Sequence, residues 1–213
     1  MANSFDQAPA REALVEIARS FYQRGWMPGT AGNLSAVATR DAAGVAATMW
    51  ITGSGLPKGQ LEATDFLRIT VADGTVVEQP NASLKPSAET CIHQAIYRQF
   101  PKVGACLHVH TVDACLAVRR APANATSLRL PPLEMVKGLG VWDENPQVSV
   151  PLLRNHADVT MIARDIEQQG SALQNVPALM IRDHGVTVWG SNPQEAFNRV
   201  ECIEFIFSFM ARA

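Results

Sequence analysis

A chain of 213 residues, 47% hydrophobic and 18% charged, can bury a sizeable core, and one domain over residues 1–213 is expected. A net charge of −2 with no long run of Lys and Arg argues against a nucleic-acid partner, which needs clustered cations along a phosphate backbone. No stretch reaches the roughly 18–20 apolar residues of a membrane span, so no membrane partner is expected.

The opening MANSFDQAPAREAL carries Asp6 and Glu12 and lacks an apolar segment, unlike a secretory signal. Leu14, Ile17, Ala18 and Phe21 then recur at helical spacing, with Gly25 as the stop. Short β-like runs follow: LSAVA, ATMWITG and FLRITVADGTVVEQ. The last holds Asp73-Gly74 between β-rich flanks, the mark of a hairpin. Pro86-Ser87 is expected to open a helix whose apolar face carries Cys91, Ile92, Ala95 and Ile96. VGACLHVH reads as a buried strand, and Thr111 is placed to cap the next helix.

From Ala121 to Asn145 the chain is loop-rich, with a short helical piece near Glu134–Lys137. QVSVPLL is a further strand, followed by a helix over Asp158–Gln168. VPALMIRDHGVTVWG reads as two strands joined at His184-Gly185. Asn192, Pro193 and Glu195 supply the cap, first-turn proline and first-turn acid of the last helix. That helix is apolar over a wide arc (Phe197, Val200, Ile203, Phe205, Ile206, Phe207, Phe209, Met210), which predicts burial on more than one side, including by another subunit. Hairpins interleaved with helices predict a mixed, largely antiparallel sheet with helices on both faces. The four cysteines, Cys91, Cys106, Cys115 and Cys202, show no C-x-x-C spacing and sit in apolar segments. They read as reduced core thiols of a cytoplasmic protein.

The triplet HVH is the first pointer to chemistry. On a strand His108 and His110 face the same side, their Cα atoms roughly 6.5–7 Å apart, a span two imidazoles can close around one metal ion. Two hydrogen-bonded histidines at a strand end would look the same. His184, before Gly185 at a strand junction, is the best third ligand, because backbone freedom there lets a side chain be aimed. His93 reads as a packed or solvated helical histidine and His156, in RNHAD, as exposed loop. Cys106 shares the strand parity of His108 but reads as a buried structural thiol. Three protein ligands with an open position is the arrangement of a catalytic zinc site.

Three small-residue segments, TAGNLS (Thr30–Ser35), ITGSGLPKG (Ile51–Gly59) and KPSAET (Lys85–Thr90), offer N–H groups, hydroxyls and Lys near turns. Such groups cradle phosphate, and they also make ordinary turns. Two acids stand out. Glu89 lies at a helix start, where a carboxylate also suits the helix dipole, and Glu134 lies in the partly apolar PPLEMVKGLG.

The ordered motifs GNLS, TGSG, PSAE, HVHT and RDHG resemble those of the class II aldolase/adducin family, with the likeness running from about Phe21 to Trp189. The resemblance implies a three-layer α/β/α sandwich around a mainly antiparallel sheet. It implies one Zn2+ per subunit on His108, His110 and His184, or another divalent metal in its place. A sugar phosphate would be held by Asn33, Thr52, Gly53, Ser54 and Ser87, in a homotetramer with active sites between subunits. Within the family, EMVKGLG, KPSAET and RDHGVTVWG fit a branch of sugar-phosphate dehydratases, which are lyases in which Glu134 matches the proposed acid/base. Glu89 matches the acid/base of the sugar-phosphate aldolases. An aldolase or 4-epimerase acting on fuculose- or ribulose-phosphate-like substrates is therefore the alternative activity.

Overall fold

A computed structural model describes residues 10–170, 173 and 175–213. Nine strands form one sheet: β1 Asn33–Arg40, β2 Ala46–Thr52, β3 Phe66–Thr70, β4 Val76–Glu78, β5 Ala105–Val109, β6 Ser127–Arg129, β7 Ser149–Leu153, β8 Ala178–Ile181 and β9 Gly185–Gly190. Their spatial order is β4-β3-β2-β1-β5-β9-β8-β7-β6. Every neighbouring pair is antiparallel except β7 with β8. Among the described residues five α-helices cover it: α1 Ala10–Gln23, α2 Thr90–Gln99, α3 Val112–Val118, α4 Val159–Gln169 and α5 Pro193–Arg212.

Alternation along the strands builds two cores. Leu107 and Val188 face Leu14 and Phe21 of α1 and Phe207 of α5 on one side. Cys106 and Leu179 face Ile96 of α2 and Ile162 of α4 on the other. The architecture is therefore the expected α/β/α sandwich. On β5, Ala105, Leu107 and Val109 point to the first core, which leaves Cys106 and His108 on the α2 side.

Local signals explain most boundaries. Gly25, at φ 74°, takes the left-handed conformation that ends α1. Thr111 accepts from Ala114 N–H, Asp158 from Thr160 N–H and Asn192 from Glu195 N–H, each capping its helix. One boundary differs from expectation. Ser87 does not open α2, which begins at Thr90. Ser54 N–H donates to Lys85 C=O and Ser87 N–H to Thr52 C=O, so this segment is tied to the end of β2 and cannot enter the helix.

The last helix keeps the wide apolar arc expected of it. Val200, Ile203, Ile206 and Phe207 are fully buried, while Phe205 and Phe209 stay 54% and 46% exposed. On α3, which packs against α5, Val112 and Leu116 are also exposed. The same interface holds Glu204, 3% exposed, with Oε2 accepting from the Thr111 hydroxyl at 2.8 Å. Its Oε1 is buried without a hydrogen-bond partner among the described residues. Burial, opposed by the Thr111 hydrogen bond and aided by Asp113, pushes its carboxyl up to about 8. A folded-state pKa raised from 4.5 means the native protein holds a proton that the unfolded chain releases. The stability tied to this group is complete below about pH 4.5 and is lost as pH rises toward 8. Glu204→Gln, uncharged throughout, is expected to stabilise the protein more at pH 8 than at pH 5, by an amount on the order of a few kcal/mol in unfolding free energy. An equal change at both pH values would refute this.

Candidate metal centre

Four side chains converge where β5 ends and β1 and β9 begin. His108 is the fourth residue of β5 and His110 follows the strand by one. His184 closes the tight connection between β8 and β9, behind Asp183, whose φ of 51° is the single left-handed non-glycine conformation among the described residues. Gly185 next to it is obligatory, because a Cβ there would collide with the Val109 carbonyl and press on the His110 ring. Glu89 reaches in from the residue before α2. One ligand atom from each of Glu89, His108, His110 and His184 lies within 4.8 Å of the others.

Their spacing fits a cation. His108 Nε2 is 2.9 Å from His110 Nε2 and 3.4 Å from His184 Nε2. Glu89 Oε1 is 2.7 Å from His184 Nε2, and Oε2 is 3.6 Å from His108 Nε2. Ligand atoms about 2.0–2.1 Å from a tetrahedral zinc stand roughly 3.3 Å apart. The outward nitrogens of two rings are already engaged. With Nε2 kept as a lone pair, His108 Nδ1–H donates to Thr187 Oγ1 at 2.8 Å and His184 Nδ1–H to Asn155 Oδ1 at 3.3 Å. Such bonds aim an imidazole at a metal and fix its tautomer. Thr187 stands directly opposite His108 in the β5–β9 ladder.

Charge supports the same reading. Burial, with Glu89 opposing, drives His108 well below the usual histidine range, and burial with the charge of His184 takes His110 to about 4. Both are neutral at pH 7, the state that binds metal. Burial pushes the Glu89 carboxyl up, but the His184 hydrogen bond and positive charge at the three rings hold it far below the ordinary carboxylate range.

The other expected site residues fall differently. Asn33 is buried and gives its amide to Glu89, and Thr52 is buried with its hydroxyl accepting from Leu34 N–H. The N–H groups of Gly53, Ser54 and Ser87 go to Asp65, Lys85 and Thr52 carbonyls. Ser54 is exposed at the loop surface, and the Ser87 hydroxyl accepts from Glu89 N–H. Glu134 is not in the cluster. It lies in a 3-10 turn, its side chain 81% exposed and paired with Lys137 at 2.7 Å. His156, expected as exposed loop, is half-buried and pairs with Asp165 of α4 at 2.9 Å.

Other residues near the cluster carried no clear signal. Lys58, 1% exposed, donates from Nζ to the carbonyls of Thr30 and Leu56 and so clips two of the small-residue loops together. It is the single charged residue of ITGSGLPKG, a weak sign of a structural role. Asn155 and Thr187 are ordinary in sequence, and register alone brings them to the histidines. Beside His110 and His184 lies a shallow, mostly apolar hollow walled by Val112, Cys115 and Leu116.

Residues 12–210 match the model of the class II aldolase and adducin N-terminal domain. The chain belongs to the class II aldolase and adducin family. Within it, the chain is 48% identical over 204 residues to a methylthioribulose-1-phosphate dehydratase of Microcystis aeruginosa, covering 95% of each protein. It is 41% identical to a protein of the same name from Leptospira biflexa, over 97% of this chain and 99% of the relative. Among solved structures, YgbL of Escherichia coli, a putative aldolase/epimerase/decarboxylase, superposes with a TM-score of 0.74 at 28% identity, over 93% of this chain and 86% of that one. An L-fuculose 1-phosphate aldolase superposes at 0.73 and 24% identity, over 98% and 86%, and shares the fold.

Proposed function

We propose that this chain is a metal-dependent hydro-lyase that converts 5-methylthioribulose 1-phosphate into 5-methylthio-2,3-dioxopentyl phosphate, in methionine salvage. The carrying observation is the convergence of Glu89, His108, His110 and His184 in a chain half identical to a dehydratase of that substrate. His108, His110 and His184 would hold the metal, which we take to be zinc from the nitrogen-rich donor set. A divalent ion there supplies a Lewis acid that stabilises negative charge on the substrate oxygens at C2 and C3.

The chain's own groups do the rest. A carboxylate removes the proton at C3, and the electron pair left behind expels the hydroxyl at C4. The same carboxyl, now protonated, returns its proton to that hydroxyl so that water departs. The resulting enol becomes the diketone. We assign this proton transfer to Glu134. Because Glu134 points to solvent outside its own chain's cluster, the assignment requires a second copy to bring it in. The exposed Phe205 and Phe209 give such a copy an apolar face to cover, and we propose a cytoplasmic homotetramer. The hydroxyls of Ser54 and Ser87 and the loop clipped by Lys58 would take the phosphate.

The apolar hollow beside His110 and His184 favours this substrate, since it suits a methylthio end better than another hydroxyl. The alternative is an aldolase or epimerase. It is favoured by the position of Glu89, which sits among the histidines where an aldolase would use an acid/base. Incubation with methylthioribulose 1-phosphate is expected to yield the diketone. The dephosphorylated sugar should turn over far more slowly, since charge-assisted hydrogen bonds to phosphate are strong. Carbon–carbon cleavage in place of the diketone would reject the dehydratase, and equal turnover of the two sugars would reject the phosphate pocket.

A further inference from the structure

A line of buried hydrogen bonds runs from the interior of α2 to the back of Glu89. Glu89 Oε2 accepts from Asn33 Nδ2–H, and Asn33 Oδ1 is bonded to His93 Nε2. His93 Nδ1 lies 2.6 Å from Ser35 Oγ, and Ser35 Oγ lies 2.9 Å from the Tyr97 hydroxyl. Asn33, Ser35, His93 and Tyr97 are at most 2% exposed.

The geometry follows from two repeats that match. Glu89, His93 and Tyr97 are four residues apart, one stripe of the α2 side, advancing about 6 Å per step. Asn33 and Ser35 are two apart on one face of β1, advancing about 6.6 Å. The two stripes stay in step, so each helix group meets a strand group.

The carboxylate at its end sets the direction of the protons along this line. An ionised carboxylate accepts and never donates, so Asn33 must turn its NH2 toward Glu89. Its oxygen then faces His93, which must carry its proton on Nε2. Nδ1 is left as a lone pair and needs a donor, which the Ser35 hydroxyl provides, itself accepting from Tyr97. A second contact of Ser35 Oγ, with the Cys106 carbonyl, is longer at 3.4 Å. Burial takes the His93 pKa down to about 4, in keeping with a neutral ring.

We propose that His93 is a positioning residue that acts through Asn33 to tie Glu89 Oε2 to the fold and leave Oε1 facing the three histidines. This rests on the reading of that cluster as a metal centre. It gives Asn33 the work of orienting a carboxylate.

His93→Leu fills the space without a donor, and His93→Gln keeps an N–H near the Nε2 position. Both should bind metal stoichiometrically, since all three histidine ligands remain. In His93→Leu we expect turnover to fall about 10–100-fold, the usual effect of losing a group behind a metal site, and the visible spectrum of the Co2+-loaded protein to change. His93→Gln should restore most of both. Equal losses in the two variants, or a wild-type spectrum and rate in His93→Leu, would overturn the proposal. Nitrogen-15 NMR of the unaltered protein decides independently of folding and turnover: a proton on His93 Nε2 is expected, and one on Nδ1 refutes the relay. Failure of the wild-type protein to bind metal would reject the metal centre itself, and the tautomer would still decide the hydrogen-bond line.

Discussion

His184→Ala should purify with little or no metal under conditions that leave the unaltered protein fully loaded. Its Nε2 stands 3.4 Å from that of His108 and 2.7 Å from Glu89 Oε1, which makes it a corner of the proposed cage. Removing it leaves two nitrogens and a carboxylate. Losing a partner behind a ligand already costs about 10–100-fold in affinity, and losing the ligand should cost ~10²-fold or more. His108→Ala and His110→Ala should behave alike. His156→Ala is the control, because its ring is occupied by Asp165 and lies outside the cage. Elemental analysis after dialysis against a mild chelator gives the answer. Stoichiometric metal in His184→Ala would remove it from the ligand set.

The second large effect separates the two acids. Glu134→Gln keeps size and hydrogen bonding but cannot take a proton, so metal should stay while dehydration falls about 10²–10⁴-fold, the usual contribution of a general acid–base group. Glu89→Gln should cost less in turnover if Glu89 only shapes the cage. A larger loss in Glu89→Gln than in Glu134→Gln would transfer the proton step to Glu89 and favour the aldolase-like arrangement. Because Glu134 is exposed and paired with Lys137 in its own chain, mixing offers a further test. Two inactive proteins, Glu134→Gln and His184→Ala, co-assembled from denatured subunits, should regain part of the activity if each site joins a metal cage from one copy and Glu134 from another. No recovery in verified mixed oligomers would refute the shared site and place Glu134 and the cage in one chain.

Much of this was legible in the residues, and the misses have a common cause. Alternation along ACLHV gave both the strand and the shared side of the histidine pair, since a period of two is a property of the backbone alone. Caps at Thr111, Asp158 and Asn192 are local too. Ser87 misled because its preference for a helix start is weaker than the two backbone hydrogen bonds that pin its segment to β2. Asn33 reads as a phosphate donor because GNLS is a small-residue loop, and only the packing of α2 against β1 shows that its amide also reaches Glu89. The spacing of Glu89, His93 and Tyr97 is visible in the chain, but its meaning depends on which strand lies beneath. Asn155 and Thr187 belong to the site through tertiary register, which no local pattern carries.

The place of β5 in the middle of the sheet bears on how this protein could go wrong. β5 is laddered on both sides, with Asn33 opposite His108 on β1 and Thr187 opposite it on β9. A slip of one residue would carry His108 and His110 through the sheet to the face of α1 and α5, away from Glu89, and drive Leu107 and Val109 out of their core. Such an error would have to break two ladders and invert a hydrophobic surface together. The outer strands β4 and β6 are laddered on one side only and hold no part of the cage. Deletions and insertions should therefore be tolerated at the margins of the sheet and fatal at its centre, where one misplaced residue would dismantle the cage while every ligand remained in the chain.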